Sequence, residues 1–307
     1  MENNSSIARV TKAPTVPITN LASLQHHLPL FASTKEDGIR CITHPDYGPA
    51  SQKLLPIPNN WLREYLTSEC PHYLDGELVT LTNGVMDSFN DIQSKIMSRD
   101  GEPNFRFLVF DCFKNVYQSF ENRYERACDL IANAFPRHTE AIKYPVASLQ
   151  QTLCRTIAEI EAFEEQALAA GKEGIMLRVP GGYYKEGRST LREGFLLKVK
   201  RFVDDEALVI GVEEQQENTN TLTRDAGGLA KRSKHQAGMR GKGQVGKLVC
   251  EWRGHTIHID GFTEAQRLAW WHRPEKIIGQ TVTFAYQQHG MKDLPRCPKF
   301  RGIRFDA

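Results

Sequence analysis

Beyond about residue 201 the chain carries five short apolar runs, at 207–212, 247–252, 256–261, 281–286 and 299–305, interrupted by one helical stretch near 264–272. Few folds accept that pattern. Five short strands with one helix predict a small closed barrel of the OB type, and the pattern alone leaves a β-sandwich open. Arg253-Gly254 reads as a tight turn between two of the strands. Thr263 and Gln266 stand at capping-box spacing at the head of the helix.

The chain before that point mixes helices and strands, which predicts an α+β domain. Asn59 or Asn60 can cap a short helix that carries Trp61, Leu62, Tyr65 and Leu66 on one side. Residues 119–135 place Phe120, Tyr124, Cys128, Ile131 and Phe135 at helical spacing. Residues 148–170 do the same with Leu149, Leu153, Ile157, Ile160, Phe163 and Ala167, and Gly171 is a natural stop. The runs 74–81, 105–113, 174–179 and 195–199 are strand candidates. Residues 1–20, polar and containing Pro14 and Pro17, read as an arm, flexible or strapped down. The predicted organisation is an arm over 1–20, a first domain over 21–201 and a barrel over 202–307.

Composition narrows the function classes. Across 307 residues, 40% are hydrophobic and 25% charged, which excludes a mainly disordered chain. No window reaches the roughly 18 apolar residues of a membrane span, and the polar residues 1–6 hold no apolar signal core. Neither a membrane location nor secretion is expected. The seven cysteines form no CxxC pair and the ten histidines are scattered, so free thiols in a reducing interior are expected and a zinc site is not. Net charge is only +2, so any grip on nucleic acid must come from local patches.

The strongest local pattern is Lys35-Glu36-Asp37-Gly38-Ile39-Arg40, a KxDGxR arrangement between two apolar runs. A lysine amine can attack phosphorus or a carbonyl once it loses its proton, and nearby cations favour that loss. Alone, such a pattern is as readily an exposed charged turn. It is followed by Asp75-Gly76-Glu77, by Phe110 at the end of an apolar run, by Glu173-Gly174-Ile175-Met176-Leu177-Arg178, and by Lys198 and Lys200. Those two lysines share one face of a strand and need anionic company, for which phosphate is suited.

In this order and at these intervals the elements resemble the covalent nucleotidyltransferases, the DNA ligases, RNA ligases and capping enzymes. The similarity is greatest to small ATP-dependent DNA ligases of the Chlorella virus type and runs over about 28–306. Further runs carry it: 184–190, 217–221, 231–233 and 299–304. The resemblance implies an adenylation domain of antiparallel sheets and helices followed by an OB barrel. It implies ATP and Mg2+ (or Mn2+) as cofactors, and nick sealing in DNA repair or replication. Lys35 would take AMP from ATP. Arg40 would contact ribose and the nicked end, Glu77 would hold the ribose hydroxyls, and Phe110 would stack on adenine. Glu173 would help hold the metal, with Asp37 assisting. Lys198 and Lys200 would bind the α-phosphate, and Arg304-Phe305-Asp306 would match the last motif, which orients pyrophosphate.

The segment 218–247 holds Arg224, Lys231, Arg232, Lys234, Arg240, Lys242 and Lys247 against Asp225 alone, loosened by glycines 227, 228, 238, 241, 243 and 246. It reads as a long basic loop, and the resemblance makes it a latch that closes on duplex DNA. Lys185, Arg188 and Arg192 form a second basic group suited to the backbone beside a nick. Trp270 and Trp271 are expected to be core and cover rather than base-stacking groups. Three positions depart from the family pattern: Ser33 replaces a common glutamate, Gln52 a common arginine, and the chain ends Asp306-Ala307 without a terminal basic residue. The expected partner is nicked duplex DNA. A monomer is expected, with no obligate protein partner, in a cytoplasmic or nucleoid-associated setting and of possible viral origin. The rival readings are an RNA ligase or capping-type enzyme, and a non-catalytic OB nucleic-acid-binding protein.

Overall fold

In the segment Phe105–Cys112, buried Phe105, Phe107 and Val109 alternate with half-covered Arg106, Leu108 and Phe110. That period of two makes a strand with one face in the core. The computed structural model describes residues 7–135, 145–224, 230–233, 235–288, 291 and 293–304. The chain divides into two compact units, Met1–Lys200 and Arg201–Ala307.

The first unit contains two larger sheets. One is five-stranded, in the order Thr152–Cys154, Leu30–Thr34, Ile175–Arg178, Leu197–Lys200, Thr15–Pro17. The other runs Gly48–Ser51, Ile39–His44, Leu74–Thr82, Phe105–Cys112, Val146–Ser148, with Val85–Met86 added to Leu74–Thr82. Each has its own core. Leu62 and Leu66 of the helix Asn60–Glu69, with Ile92, Ile96, Ala127 and Ile131, pack on the second sheet. Ile160 and Ala167 of the helix Ile157–Ala169 pack with Leu21 and Leu24 on the first. The chain crosses from one sheet to the other through residues 35–38, so the KxDGxR segment sits at the junction.

Asn59 caps its helix by accepting from the Leu62 N–H. The helix expected over 148–170 is shorter than the periodicity suggested. Its first turns are instead the strands Val146–Ser148 and Thr152–Cys154, and the helix begins after Thr156, whose side chain accepts from the Glu159 N–H. Leu149 and Leu153 fall at helical spacing, but Thr152–Cys154 pairs antiparallel with Leu30–Thr34 and satisfies its backbone there. Residues 7–17 are stitched into the unit. Thr11–Lys12 pairs in parallel with Gly187–Arg188, Thr15–Pro17 pairs in parallel with Leu197–Lys200, and Ile7 and Val10 are buried.

The second unit is a five-stranded sheet in the order His255–Ile259, Met239–Trp252, Val203–Asn218, Thr281–Gln287, Arg296–Ile303. A parallel bridge, Asp260 with Lys299, brings the two ends of that path together, and the Phe300 N–H donates to the Asp260 carbonyl at 2.8 Å. The capping box of Thr263 and Gln266 is formed. Trp270 is buried against Phe262 and Phe300, and Trp271 covers the same core.

The basic segment 218–247 is not one long loop. Strands Val203–Asn218 and Met239–Trp252 continue as a hairpin until Asn218 faces Met239. Its outer half, Glu213 to Asn218 against Met239 to Lys247, is polar and glycine-rich, so no apolar alternation marked it as strand. Glycines 241, 243 and 246 fall at or beside the register shifts near Glu214, where the ladder bulges. A smaller hairpin, Leu222–Arg224 with Ala230–Arg232, stands beyond the neck.

Candidate active site

Lys35 directly follows the strand Leu30–Thr34, and its backbone N–H donates to the Gly174 carbonyl at 2.8 Å. Gly38 is required by close approach and not by flexibility. A Cβ there would lie 2.4 Å from the Leu78 carbonyl oxygen. Dense packing against Leu74–Thr82 fixes the loop, so the amine of Lys35 is held rather than free.

A cavity of about 240 Å³ opens beside it, lined among others by Lys35, Arg40, Gln52, Glu77, Phe110 and Arg178. Arg40 and Glu77 reach it as direct cross-strand neighbours. Arg40 is tied down on several sides. It pairs with Asp75, which also accepts from the Tyr184 hydroxyl at 2.7 Å, and it donates to the Thr11 carbonyl. Burial disfavours its charge, yet Asp75 more than offsets that and raises the guanidinium's pKa. Burial pushes the Glu77 carboxyl up to about 7, against the pull of Lys35 and Arg40, with Asp75 and Asp37 adding to the rise.

Two guanidiniums approach the Phe110 ring, Arg178 at 4.9 Å and Arg40 at 5.3 Å from its centroid. Arg178 also donates to the Phe110 carbonyl at 3.0 Å. Burial lowers its pKa, and Asp111, 4.0 Å away, opposes the shift. The Lys35 ammonium is ion-paired with Glu173 Oε2, although not along a hydrogen-bond direction. Lys200 holds Glu173 Oε1. Lys198, on the same strand face as Lys200, is held below its usual range by burial and by the charges of Lys35 and Arg188.

Lys35, Arg40, Glu77, Phe110, Glu173, Lys198 and Lys200, read from widely spaced runs, thus converge on one junction, and Asp37 acts electrostatically on Glu77 there. Lys185 is half-buried and donates to Glu193 at 2.6 and 2.8 Å, while Arg188 and Arg192 are exposed. Arg304 lies in the second unit and pairs with Glu206. Arg240 and Lys242 are exposed on Met239–Trp252, and Arg232 donates to the Asn220 carbonyl. The side chains of Arg224 and Lys231, and all of Lys234, Phe305, Asp306 and Ala307, lie outside the described residues.

Sequence reasoning gave no role to Arg178, Glu36 or Lys172. Arg178 stood in a quoted run, but its partner Phe110 is 68 positions away. Glu36 stood inside the motif, but only the fold shows that Lys172 reaches it, at 2.8 Å.

Residues 18–200 match the family model of the ATP-dependent DNA ligase domain, and 238–304 match that of the DNA ligase OB-like domain. The crystal structure of Chlorella virus DNA ligase-adenylate is 30% identical, with 98% of this chain and 100% of that one covered and a TM-score of 0.56. A Lig E DNA ligase shares the fold at 23% identity, with 97% and 100% of the chains covered and a TM-score of 0.67. A DNA ligase of Haloarcula marismortui is 29% identical over 142 residues, and the match covers 43% of this chain and 24% of that longer protein.

Proposed function

The chain belongs to the ATP-dependent DNA ligase family, and from that premise we propose that it seals nicks in duplex DNA through a lysyl-AMP intermediate on Lys35. The observation that carries this reading is the position of the Lys35 amine. It lies on the wall of a cavity shared with Arg40, Glu77 and Phe110, and it is tied through Glu173 to Lys200.

The nitrogen of Lys35, having given up one ammonium proton to solvent, attacks the α-phosphorus of ATP with its freed lone pair. An N–P bond forms, the bond to the β-phosphate breaks, and pyrophosphate leaves with the charge. A 5′-phosphate oxygen at the nick then attacks the same phosphorus and releases Lys35. Finally the 3′-hydroxyl displaces AMP and closes the strand. Each step needs in-line placement and charge neutralisation more than bond-making side chains. Lys198 and Lys200 supply fixed positive charge at the α-phosphate. Phe110, with Arg178 behind its backbone, offers a ring for the adenine face. Glu77 offers oxygens to the ribose, and Arg40 stands beside it as direct neighbour.

Magnesium takes one or two carboxylates and fills its shell with water and phosphate oxygens. Glu173 and Asp37 are donors of that kind, and among the described residues the buried Oε2 of Glu173 receives no hydrogen bond. Bound there, the ion would supply charge neutralisation at the phosphates.

The unit Met1–Lys200 acts as the adenylation domain and the second unit as the OB domain. Arg188, Arg192 and Lys185 in the first, and Arg224, Lys231, Arg232, Lys234, Arg240 and Lys242 in the second, contact DNA phosphates. Arg304 belongs to the pyrophosphate-orienting motif. The seven cysteines are unpaired, which suits a reducing compartment; the protein works as a monomer.

Mass spectrometry after incubation with ATP and magnesium tests the reading. An AMP adduct on the peptide containing Lys35 is expected, with none in Lys35→Ala, which also fails to seal ordinary nicks. Sealing by Lys35→Ala with ATP would overturn it. Nicked RNA and GTP, run in parallel, decide between this activity and an RNA-ligase or capping activity.

A further inference from the structure

Glu36 is an unusual side chain to find beside a reacting amine. It is only 6% exposed and stands in the nucleophile's own loop, turned inward. Its carboxylate accepts from the Thr34 hydroxyl at 2.7 Å and from the Lys172 ammonium at 2.8 Å. The neighbouring pair is the mirror of it, with Lys35 facing Glu173. Residues 35–36 and 172–173 therefore exchange two ion pairs of opposite polarity, just past the point where Ile175 and Thr34 end their ladder and the Lys35 N–H meets the Gly174 carbonyl.

These two stitches do not have the same lifetime in the reaction proposed above, on which the present inference rests. When the Lys35 nitrogen bonds to phosphorus it becomes a phosphoramidate and no longer carries the ammonium charge. Its pairing with Glu173 then ends, and Glu173 keeps only Lys200. The Glu36–Lys172 pair is untouched by the chemistry. We propose that Glu36 and Lys172 are a positioning pair that holds the loop in place while Lys35 carries AMP, so that the phosphorus stays in line for the attacking 5′-phosphate.

The pair has the physical properties this role needs. Its carboxylate is almost fully covered, so the interaction is weakly screened, and Thr34 satisfies a second lone-pair direction. It is anchored to the segment that follows the helix Ile157–Ala169, where the Lys172 N–H donates to the Ala167 carbonyl at 2.9 Å. Glu36 also borders the cavity beside Lys35 while Lys172 does not, so a loss shared by both variants cannot come from contact with the nucleotide. Both act through the backbone of the Lys35 loop, and small misplacement of reacting atoms is costly.

The test separates the three steps in Glu36→Gln, Lys172→Met, the double variant and Lys172→Arg. Adenylation is read with ATP, AMP transfer with pre-adenylated enzyme and excess nicked DNA, and closure with a nick that already carries 5′-AMP. The expected result is a slowing of AMP transfer by about ten-fold in both single variants. The double variant should be no slower than either, Lys172→Arg should be restored, and closure of the pre-adenylated nick should change by less than about two-fold. Equal slowing of all three steps would show a merely structural pair and overturn the proposal, as would additive losses in the double variant or transfer at the parent rate. If Glu36→Gln does not fold, Lys172→Met keeps the test open, because Lys172 is partly exposed and methionine retains its stem. Absence of any adduct on the parent chain would instead refute the lysyl-AMP reading itself.

Discussion

Replacing Glu77 by glutamine should make the protein more stable above neutral pH while weakening nucleotide binding. Burial raises the Glu77 carboxyl from its ordinary 4.5 to about 7, so the folded chain holds on to a proton that the unfolded chain has already released. The sign follows directly. The stabilising contribution of the protonated form is complete below about 4.5 and is lost as the pH climbs through about 7. At pH 8 the ionised carboxylate therefore costs the folded state about 3 kcal/mol, from the shift at about 1.36 kcal/mol per pH unit. Glutamine is neutral at every pH and bears none of that cost. In a unit of this size each kcal/mol moves the melting temperature by about 2–4 °C. Calorimetric unfolding of the parent and of Glu77→Gln at pH 5 and pH 8 measures it. The variant should gain several degrees on the parent at pH 8 and only about a quarter of that at pH 5, while its adduct formation falls. A difference no larger at pH 8 than at pH 5 would show that the carboxyl titrates normally, and the burial argument would fail.

Other perturbations probe the frame and the surface. Gly174→Ala should lose stability and adduct formation together, because the added Cβ would stand 2.3 Å from the Val199 carbonyl oxygen at a φ of +151°; urea unfolding and adduct yield read both losses. Arg123→Met should cost about 3–5 kcal/mol in denaturant unfolding, because it leaves buried Asp111 without its partner at 2.8 Å. Replacing residues 221–235 by a two-residue turn removes Arg224, Lys231, Arg232 and Lys234 together with Asp225. Adenylation from ATP should persist. Nick binding should weaken, and its dependence of log K on log salt should flatten by about three, as read in binding titrations from low to high salt.

Much of the site could be read before any coordinates, because its groups come in runs whose chemistry is local. Lys35 to Arg40 stands out as a run but alone is as readily an exposed charged turn; Glu77 and Phe110 are singled out only by the resemblance to the covalent nucleotidyltransferases, and the fold brings them to the same cavity as Lys35. The direct pairing of Arg40 with Glu77 is a matter of register, which no single run encodes. Three features were illegible for physical reasons. The outer hairpin Glu213–Asn218 with Met239–Lys247 carries only Met239 and the buried Val245 as apolar side chains, too few for an alternation that would distinguish strand from loop. The stretch 148–154 obeys helical spacing, but tertiary pairing with Leu30–Thr34 overrides it. The Glu36–Lys172 pair spans 136 positions and leaves no trace in either neighbourhood. The requirement for Gly38, close contact with Leu78, likewise comes from a strand 40 positions away and is not written in its own run.

The parallel pairing of Thr15–Pro17 with Leu197–Lys200 has a consequence for the chain as it is made. The partner of this early strand leaves the ribosome about 180 residues later, which is about 10–40 s at ordinary elongation rates. Until then the Val16 edge has nothing native to pair with, and the lysine-bearing strand it will flank does not yet exist. The cavity beside Lys35, walled in part by Leu196, is therefore completed only late in the synthesis of the first unit, and a nascent chain cut short before residue 196 lacks that wall.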